Sequence, residues 1–546
     1  VYFGSVCQNS EVWLNGTPIG KHTGPHLPFE FDITSAVKFG SENVLVVLAD
    51  GRLHHLALPP AAISEKDFRA GWGDSYPCVS YDFFPFSGIH RPVTLYTVHR
   101  DVHFRDVYVR AQHTGSTATV HIDAEVSAPF EGKIRFAVED QHTLCCLAGE
   151  SRGSADMKLR QPRVWDIGRG ELYTMMVTLE VDEVVLDTYQ VRFGIRNISV
   201  TESQFLLNGR PVCFKGFGKH EDFEVIGKGL CHPLIIKDFD LMAWIGANSF
   251  RSSHYPYAEE WLDIADERGV LVISETPFVG LGPRLYRKDM LRRAMEVVDE
   301  HLRRDRNHPS VIMWSLANEP GSPDGKGVRR RCMDFYQGLV AKARSLDNRP
   351  LTYAMHDSPR ENPMAKLFDV LCVNKYFGWY EWPGRIDESL DQLAALLEKF
   401  HTAFKKPVLF AEFGADAIAG EHHLPEVMFS EEYQSKIIEL QFNKVMTKPW
   451  MLGAHVWNFA DFKVGQSITR VVCNRKGVFT RSRQPKMVAH TLQRLWRVDE
   501  ASSKVVAGKN SARRRASVRS VKSPGGLALR AKRPGVRSVR KKKTKA

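Results

Sequence analysis

The stretch VIMWSLANEP, residues 311–320, is apolar for the length of a strand and turns polar at Asn318-Glu319. Seven further runs share this character: VCFKGF (212–217), ANSFRS (247–252), GVLVIS (269–274), LTYAM (351–355), FDVLCV (368–373), PVLFAE (407–412) and GAHVWN (453–458). Short apolar runs of this kind suit strands covered on both faces of a parallel sheet. Amphipathic segments lie between them. One spans 256–268, with Pro256 at its start and Gly269 after it, and another spans 386–403. Eight β/α units over about 300 residues predict a (β/α)8 TIM barrel across 198–497, with its chemistry at the C-terminal strand ends.

Upstream the pattern changes. Residues 1–98 hold short strands such as EVWLNGTPIG, NVLVVLADG and RPVTLYTV, with Asn-Gly and Asp-Gly turns, and predict an all-β sandwich. Residues 99–197 alternate in TATVHIDAEVSA, KIRFAVED and ELYTMMVTLEV, and about 100 residues of short strands predict an immunoglobulin-like sandwich. The fold class is therefore multidomain, two all-β sandwiches followed by a barrel. Hydrophobic residues at 43% and charged residues at 25% exclude a disordered or fibrous chain. No uncharged apolar run reaches the roughly 18 residues a membrane helix needs. Nine scattered cysteines form no CxxC pair and no Cys/His cluster with zinc spacing, so neither a disulfide framework nor a structural zinc is expected, and most should be buried thiols.

The net charge of +12 suggests a polyanion partner until its distribution is read. Residues 501–546 carry 16 Lys+Arg and no Asp or Glu, which leaves residues 1–500 at −4. The segment 498–546 is expected to be a disordered basic tail. Two readings of it stand, a solvated extension or an arm for nucleic acid, and no aromatic residue interleaves its charges for base stacking.

Two predicted strands end in a carboxylate, Glu319 and Glu412. A glutamate closing an apolar strand sits between hydrophobic walls, where desolvation raises its pKa. A lone strand-end glutamate more often pairs with an arginine. Two converging in one barrel are the pair that glycosidic cleavage needs. Spacing alone leaves retention and inversion both open.

The blocks NHPSVIMWSLANEP, SFRSSHYPYAEEWLD, GFGKHED, NKYFGWY, EFGAD, WNFADF and NRKGVFTR, with DFFPFSGIHRPVTLY near the start, occur in this order across residues 1–497. Together they resemble the β-glucuronidases of glycoside hydrolase family 2. The resemblance implies a jelly-roll sugar-binding domain at 1–98, only part of it present because its first strands would lie upstream of Val1. It also implies a retaining hydrolase of β-glucuronides, with Glu319 as general acid/base and Glu412 as nucleophile, their carboxyls about 5 Å apart. Asn318 would bond the sugar 2-hydroxyl, and Tyr376 would hold the nucleophile. Asn474 and Lys476, helped by Arg470, would recognise the C6 carboxylate. Asp82, His220 and Trp457 would contact the sugar, with Tyr380 in the same aromatic block. His254 and Glu275 also end strands and are expected to hold these groups in place by hydrogen bonds.

Nothing in these motifs requires a cofactor or a metal. The resemblance further implies a carbohydrate substrate and a homo-oligomer, a tetramer in much of the family. It leaves location open, lysosomal in animal relatives and cytoplasmic in bacterial ones; the sequons at Asn15 and Asn197 decide nothing. Ala454 stands where the family commonly has Glu, and the segment GLGPRLYRKDM (280–290) leaves little room for a long active-site loop. A β-galactosidase-like hydrolase of the same family, or a non-catalytic carbohydrate- or polyanion-binding protein, remain the alternative readings.

Overall fold

A computed structural model describes residues 1–53, 57–61, 76, 79, 81–323 and 325–497. The basic tail 498–546 and Cys78 lie outside the described residues.

Eight parallel strands close into a barrel in chain order: Phe214–Gly218, Ser249–Arg251, Leu271–Glu275, Val311–Asn318, Leu351–Met355, Leu371–Asn374, Val408–Glu412 and Met451–Val456. Closure is direct, the first strand pairing with the eighth at Phe214↔Gly453 and Lys215↔Ala454. Each of the eight expected runs overlaps one of these strands. Every residue of Val311–Asn318 and Val408–Glu412 is buried, which is why these segments read as continuous apolar runs rather than alternating ones.

The helices form where the amphipathic segments fall. Glu259–Arg268 carries Glu259 and Glu260 in its first turn and Arg268 in its last, matching the helix dipole, and Gly269 closes it at φ +66°. Ile386–Phe404 buries Ile386, Ser389, Leu393, Leu397 and Phe400, one face at the helical period. Only the short turn Pro283–Leu285 intervenes before helix Lys288–Asp305, so the loop after the third strand is short, as expected.

The sandwich at 99–197 departs from the expected short strands. Thr117–Val138 and Gln141–Arg160 form one hairpin of 22 and 20 residues, with register shifts between Glu125 and Glu131. The first half of Thr117–Val138 pairs with Phe104–Thr114 and the second half with Tyr173–Val181, so one bulged strand does the work of two. Val109, Val120, Ile122, Ile134, Phe136, Met175 and Val177 fill its core. The domain is pinned to the barrel by a Tyr108 hydroxyl donating to Asp347 at 2.9 Å and an Arg303–Asp106 ion pair at 2.6 Å.

In the first domain the Asn15-Gly16 turn joins Asn9–Leu14 to Thr17–Thr23, both turn residues at positive φ as such a hairpin requires. Leu45–Asp50 pairs with Asn9–Leu14 but does not behave as a half-buried strand. Leu45, Val46 and Leu48 are all exposed. Of the eight described cysteines, Cys7, Cys332, Cys372 and Cys473 are buried, which is half and not most. No helix among the described residues is long and apolar enough to cross a membrane.

Candidate active site

The fourth and seventh barrel strands deliver Glu319 and Glu412 to one cavity of about 390 Å³ at the C-terminal end of the barrel, a usual volume for a small-molecule site. Asn318 ends the fourth strand, and Glu319 follows it at φ +45°. A non-glycine residue in that region is held there by its surroundings. Its backbone N–H donates to the Ala354 carbonyl at 2.9 Å, while Asn318 N–H donates to Phe278. Register shifts beside Asn318 and Asn374 mark where the ladder gives way to functional side chains. The Asn374 amide donates to both Asn318 Oδ1 and Glu319 Oε1 at 3.0 Å, joining the two residues.

Glu412 is buried and held from three sides. The Tyr376 hydroxyl donates to Oε2 at 2.7 Å, Arg251 pairs with Oε1, and His254 Nε2 lies 3.9 Å from Oε1. Burial pushes the Glu412 carboxyl above its ordinary pKa and the Glu319 charge adds to this, while Arg251, His254 and Tyr376 pull the other way. Tyr376 is pushed well above its usual pKa by burial and by the Glu412 charge, so its hydroxyl stays protonated and is the donor. Behind this layer Glu275 accepts from Arg251 at 2.7 Å and from Ser315 at 2.7 Å, and its other oxygen lies 2.8 Å from His254 Nδ1. Burial opposes its ionisation, yet Arg251 and His254 hold Glu275 below the glutamate range. The expected supporting role of His254 and Glu275 has this geometry. Arg251 and Asn374 were not anticipated. Their signal is a charged or amide residue closing a barrel strand, the criterion that found the two glutamates.

On the opposite wall Asp82, from the first domain, accepts from Arg470 through Nε at 2.9 Å and Nη2 at 2.6 Å, and from the Asn474 amide at 2.8 Å. Arg470 Nη2 also donates to the Tyr380 hydroxyl at 2.7 Å. Burial opposes the Arg470 charge, but Tyr380 and Asp82 keep the guanidinium firmly protonated. Trp457 closes the floor, stacked on His254 with ring centroids 4.9 Å apart. Gly218 is required beneath it, since a Cβ there would lie 2.5 Å from the indole.

Nine of the eleven anticipated residues line the cavity: Asp82, Asn318, Glu319, Tyr376, Tyr380, Glu412, Trp457, Arg470 and Asn474. His220 and Lys476 lie one layer behind the wall. His220 packs on Phe462 with centroids 4.4 Å apart, its Nδ1 3.2 Å from the Tyr255 hydroxyl and its buried Nε2 without a partner. Burial, with His254 and Lys228 nearby, keeps the ring neutral. Lys476 reaches Tyr380 at 2.8 Å and pairs with Asp416. Two clusters among the described residues have metal-ligand chemistry, Cys7/His26/His90 and Asp263/Asp266/His308, and neither includes a cavity residue.

Three family models match in succession: the sugar binding domain of glycosyl hydrolases family 2 over residues 1–99, a glycosyl hydrolases family 2 domain over 102–196, and the family's TIM barrel domain over 198–499. The chain is 39% identical over 511 residues to a β-glucuronidase of Paenibacillus borealis, covering 91% of this chain and 84% of that one. It is 38% identical over 510 residues to a β-glucuronidase of Rattus norvegicus, covering 89% and 76%. A solved Bifidobacterium dentium β-glucuronidase complexed with coumarin-3-O-glucuronide superposes with a TM-score of 0.84 at 33% identity, covering 91% and 84%. Barrel, strand-end carboxylates and sequence relatives agree, and the chain belongs to glycosyl hydrolase family 2, among its β-glucuronidases.

Proposed function

We propose that this protein is a retaining β-glucuronidase. The observation that carries the reading is the cluster of donors Arg470, Tyr380, Asn474 and Lys476 beside the Glu319/Glu412 pair, which suits a sugar bearing a carboxylate. Glu412, ionised and aimed by Arg251 and Tyr376, attacks the anomeric carbon while Glu319 protonates the departing oxygen. Glu319, now a carboxylate, then takes a proton from water, which releases the sugar with its configuration retained. A carboxyl separation of about 5 Å belongs to this mechanism. Asn318, set by Asn374, offers its amide N–H to the sugar 2-hydroxyl, a bond that tightens in the transition state. Asp82 accepts from sugar hydroxyls and Trp457 stacks on the ring, while His220 backs the wall behind them. Assembly as a homo-oligomer, a tetramer by the resemblance, belongs to the same reading.

Hydrolysis of an aryl β-glucuronide in preference to the matched β-galactoside tests the assignment. Lys476→Met is expected to lower kcat/KM for the glucuronide roughly 10- to 100-fold, the worth of one charge-assisted hydrogen bond, with little change for the galactoside. Equal losses on both substrates would remove the lysine from uronate recognition.

The pH profile gives a second check. Glu412 must be ionised to attack and its pKa is raised, so activity is lost as pH falls through a value above the ordinary glutamate range. Tyr376→Phe deletes a donor to the carboxylate and should move the acidic limb of kcat/KM upward by about one pH unit. An unmoved or downward-shifted limb would show that the phenol does not stabilise the Glu412 anion.

A further inference from the structure

Asp416 is a buried carboxylate that the chemistry above does not use. It lies four residues past Glu412, is 3% exposed, and does not line the cavity. One oxygen accepts the Arg475 backbone N–H at 2.9 Å, and the other pairs with the Lys476 ammonium. Burial opposes its ionisation, yet Lys476 and Arg470 hold it below the usual carboxylate range. Lys476 itself is 1% exposed and reaches the cavity through the Tyr380 hydroxyl.

That hydroxyl oxygen accepts from both Lys476 at 2.8 Å and Arg470 at 2.7 Å. A phenol has two lone pairs and one proton, so with both lone pairs taken the proton is left for an outside acceptor. The acceptor that suits a proton backed by two cations is an anion. Lysine is a point charge on four rotatable bonds, and without a counter-charge a buried ammonium has no defined seat. Asp416 supplies that seat.

The segment bearing Asp416 is in turn clamped to the lysine's loop. Ala417 N–H donates to the Arg475 carbonyl at 3.0 Å. Gln434 Nε2 bridges the carbonyls of Ala415 and Lys476, and Lys486 Nζ bridges those of Ala417 and Arg475.

We propose that Asp416 is the positioning residue for uronate selectivity: it fixes the Lys476 ammonium against Tyr380, so that lysine, phenol and Arg470 form one preorganised receptor for the substrate carboxylate. This rests on the glucuronidase reading. Asp416→Asn keeps the side chain's shape and an acceptor for Arg475, and removes the charge that seats the lysine. A uronate contact made equally in ground and transition states appears in KM. The expected result with an aryl β-glucuronide is therefore a KM raised about tenfold or more with kcat within about threefold. In a Lys476→Met background the same substitution should change KM by less than about twofold. Should Asp416→Asn not fold, Asp416→Glu, which moves the carboxylate by one methylene, is run through the same cycle with the same expectation.

A fall in kcat with KM unchanged would place Asp416 in support of the nucleophile and overturn the proposal. So would a loss of equal size with and without Lys476, or unchanged kinetics. If Lys476→Met alone leaves the glucuronide KM unchanged, the reading of the site fails instead, and the two failures are told apart.

Discussion

Glu412→Gln is expected to abolish turnover of an aryl β-glucuronide, lowering kcat by at least about 10⁴-fold. The amide keeps the shape of the side chain but cannot form the glycosyl ester, so the path through a covalent intermediate is closed. The fold should survive the change. Arg251, which pairs with Glu412, keeps its two contacts to Glu275 at 2.7 Å, so no buried charge is left without a partner. Steady-state kinetics and a thermal melt on one preparation separate the two effects. Retention of more than a few per cent of the activity in a folded variant would exclude Glu412 as nucleophile.

Glu319→Ala should give a different signature, because that residue serves both steps. In the first, its proton matters in proportion to how poor the leaving group is. Glucuronides of aliphatic alcohols should lose about 10² to 10⁴ in kcat/KM, and those of acidic phenols far less. In the second, no base remains to activate water, so hydrolysis of the intermediate becomes the slow step for every substrate. An activated aryl glucuronide should therefore release a burst of phenol close to the enzyme concentration, followed by slow turnover. Equal loss for good and poor leaving groups, with no burst, would assign the acid to another residue. The Asn374 amide that holds both Asn318 and Glu319 loses one acceptor in this variant and keeps the other, so the neighbouring sugar contact stays in place.

Much of this site was legible before any coordinates. Strands such as Val311–Asn318 and Val408–Glu412 are covered on both faces, so burial writes itself as an apolar run, and a carboxylate at its end stands out. The helices announced themselves through Pro256, Gly269 and the spacing of Leu393, Leu397 and Phe400. What was not legible depends on convergence between distant segments. Arg251 acquires its role only where Glu275 and Glu412 meet it, and Asp416 only where the 474–477 loop folds over it. Neither segment carries that partnership in its own pattern. The long hairpin Thr117–Arg160 escaped for a related reason. Pro129 and Gly132 look like punctuation, but Pro129 falls within a bulge, Gly132 pairs with Leu147 just after it, and the strand continues. In Leu45–Asp50 the β-branched composition signals a strand correctly, while the depth of its burial depends on what packs over it.

The central claim is that Glu412 becomes covalently bound to the sugar. The most direct measurement is intact-mass and peptide-mapping mass spectrometry of Glu319→Ala after brief exposure to an activated aryl β-glucuronide. The account predicts one glucuronosyl group per chain, attached through an ester to Glu412. An adduct on any other residue, or steady turnover with α-glucuronate as the first-formed anomer, would contradict it.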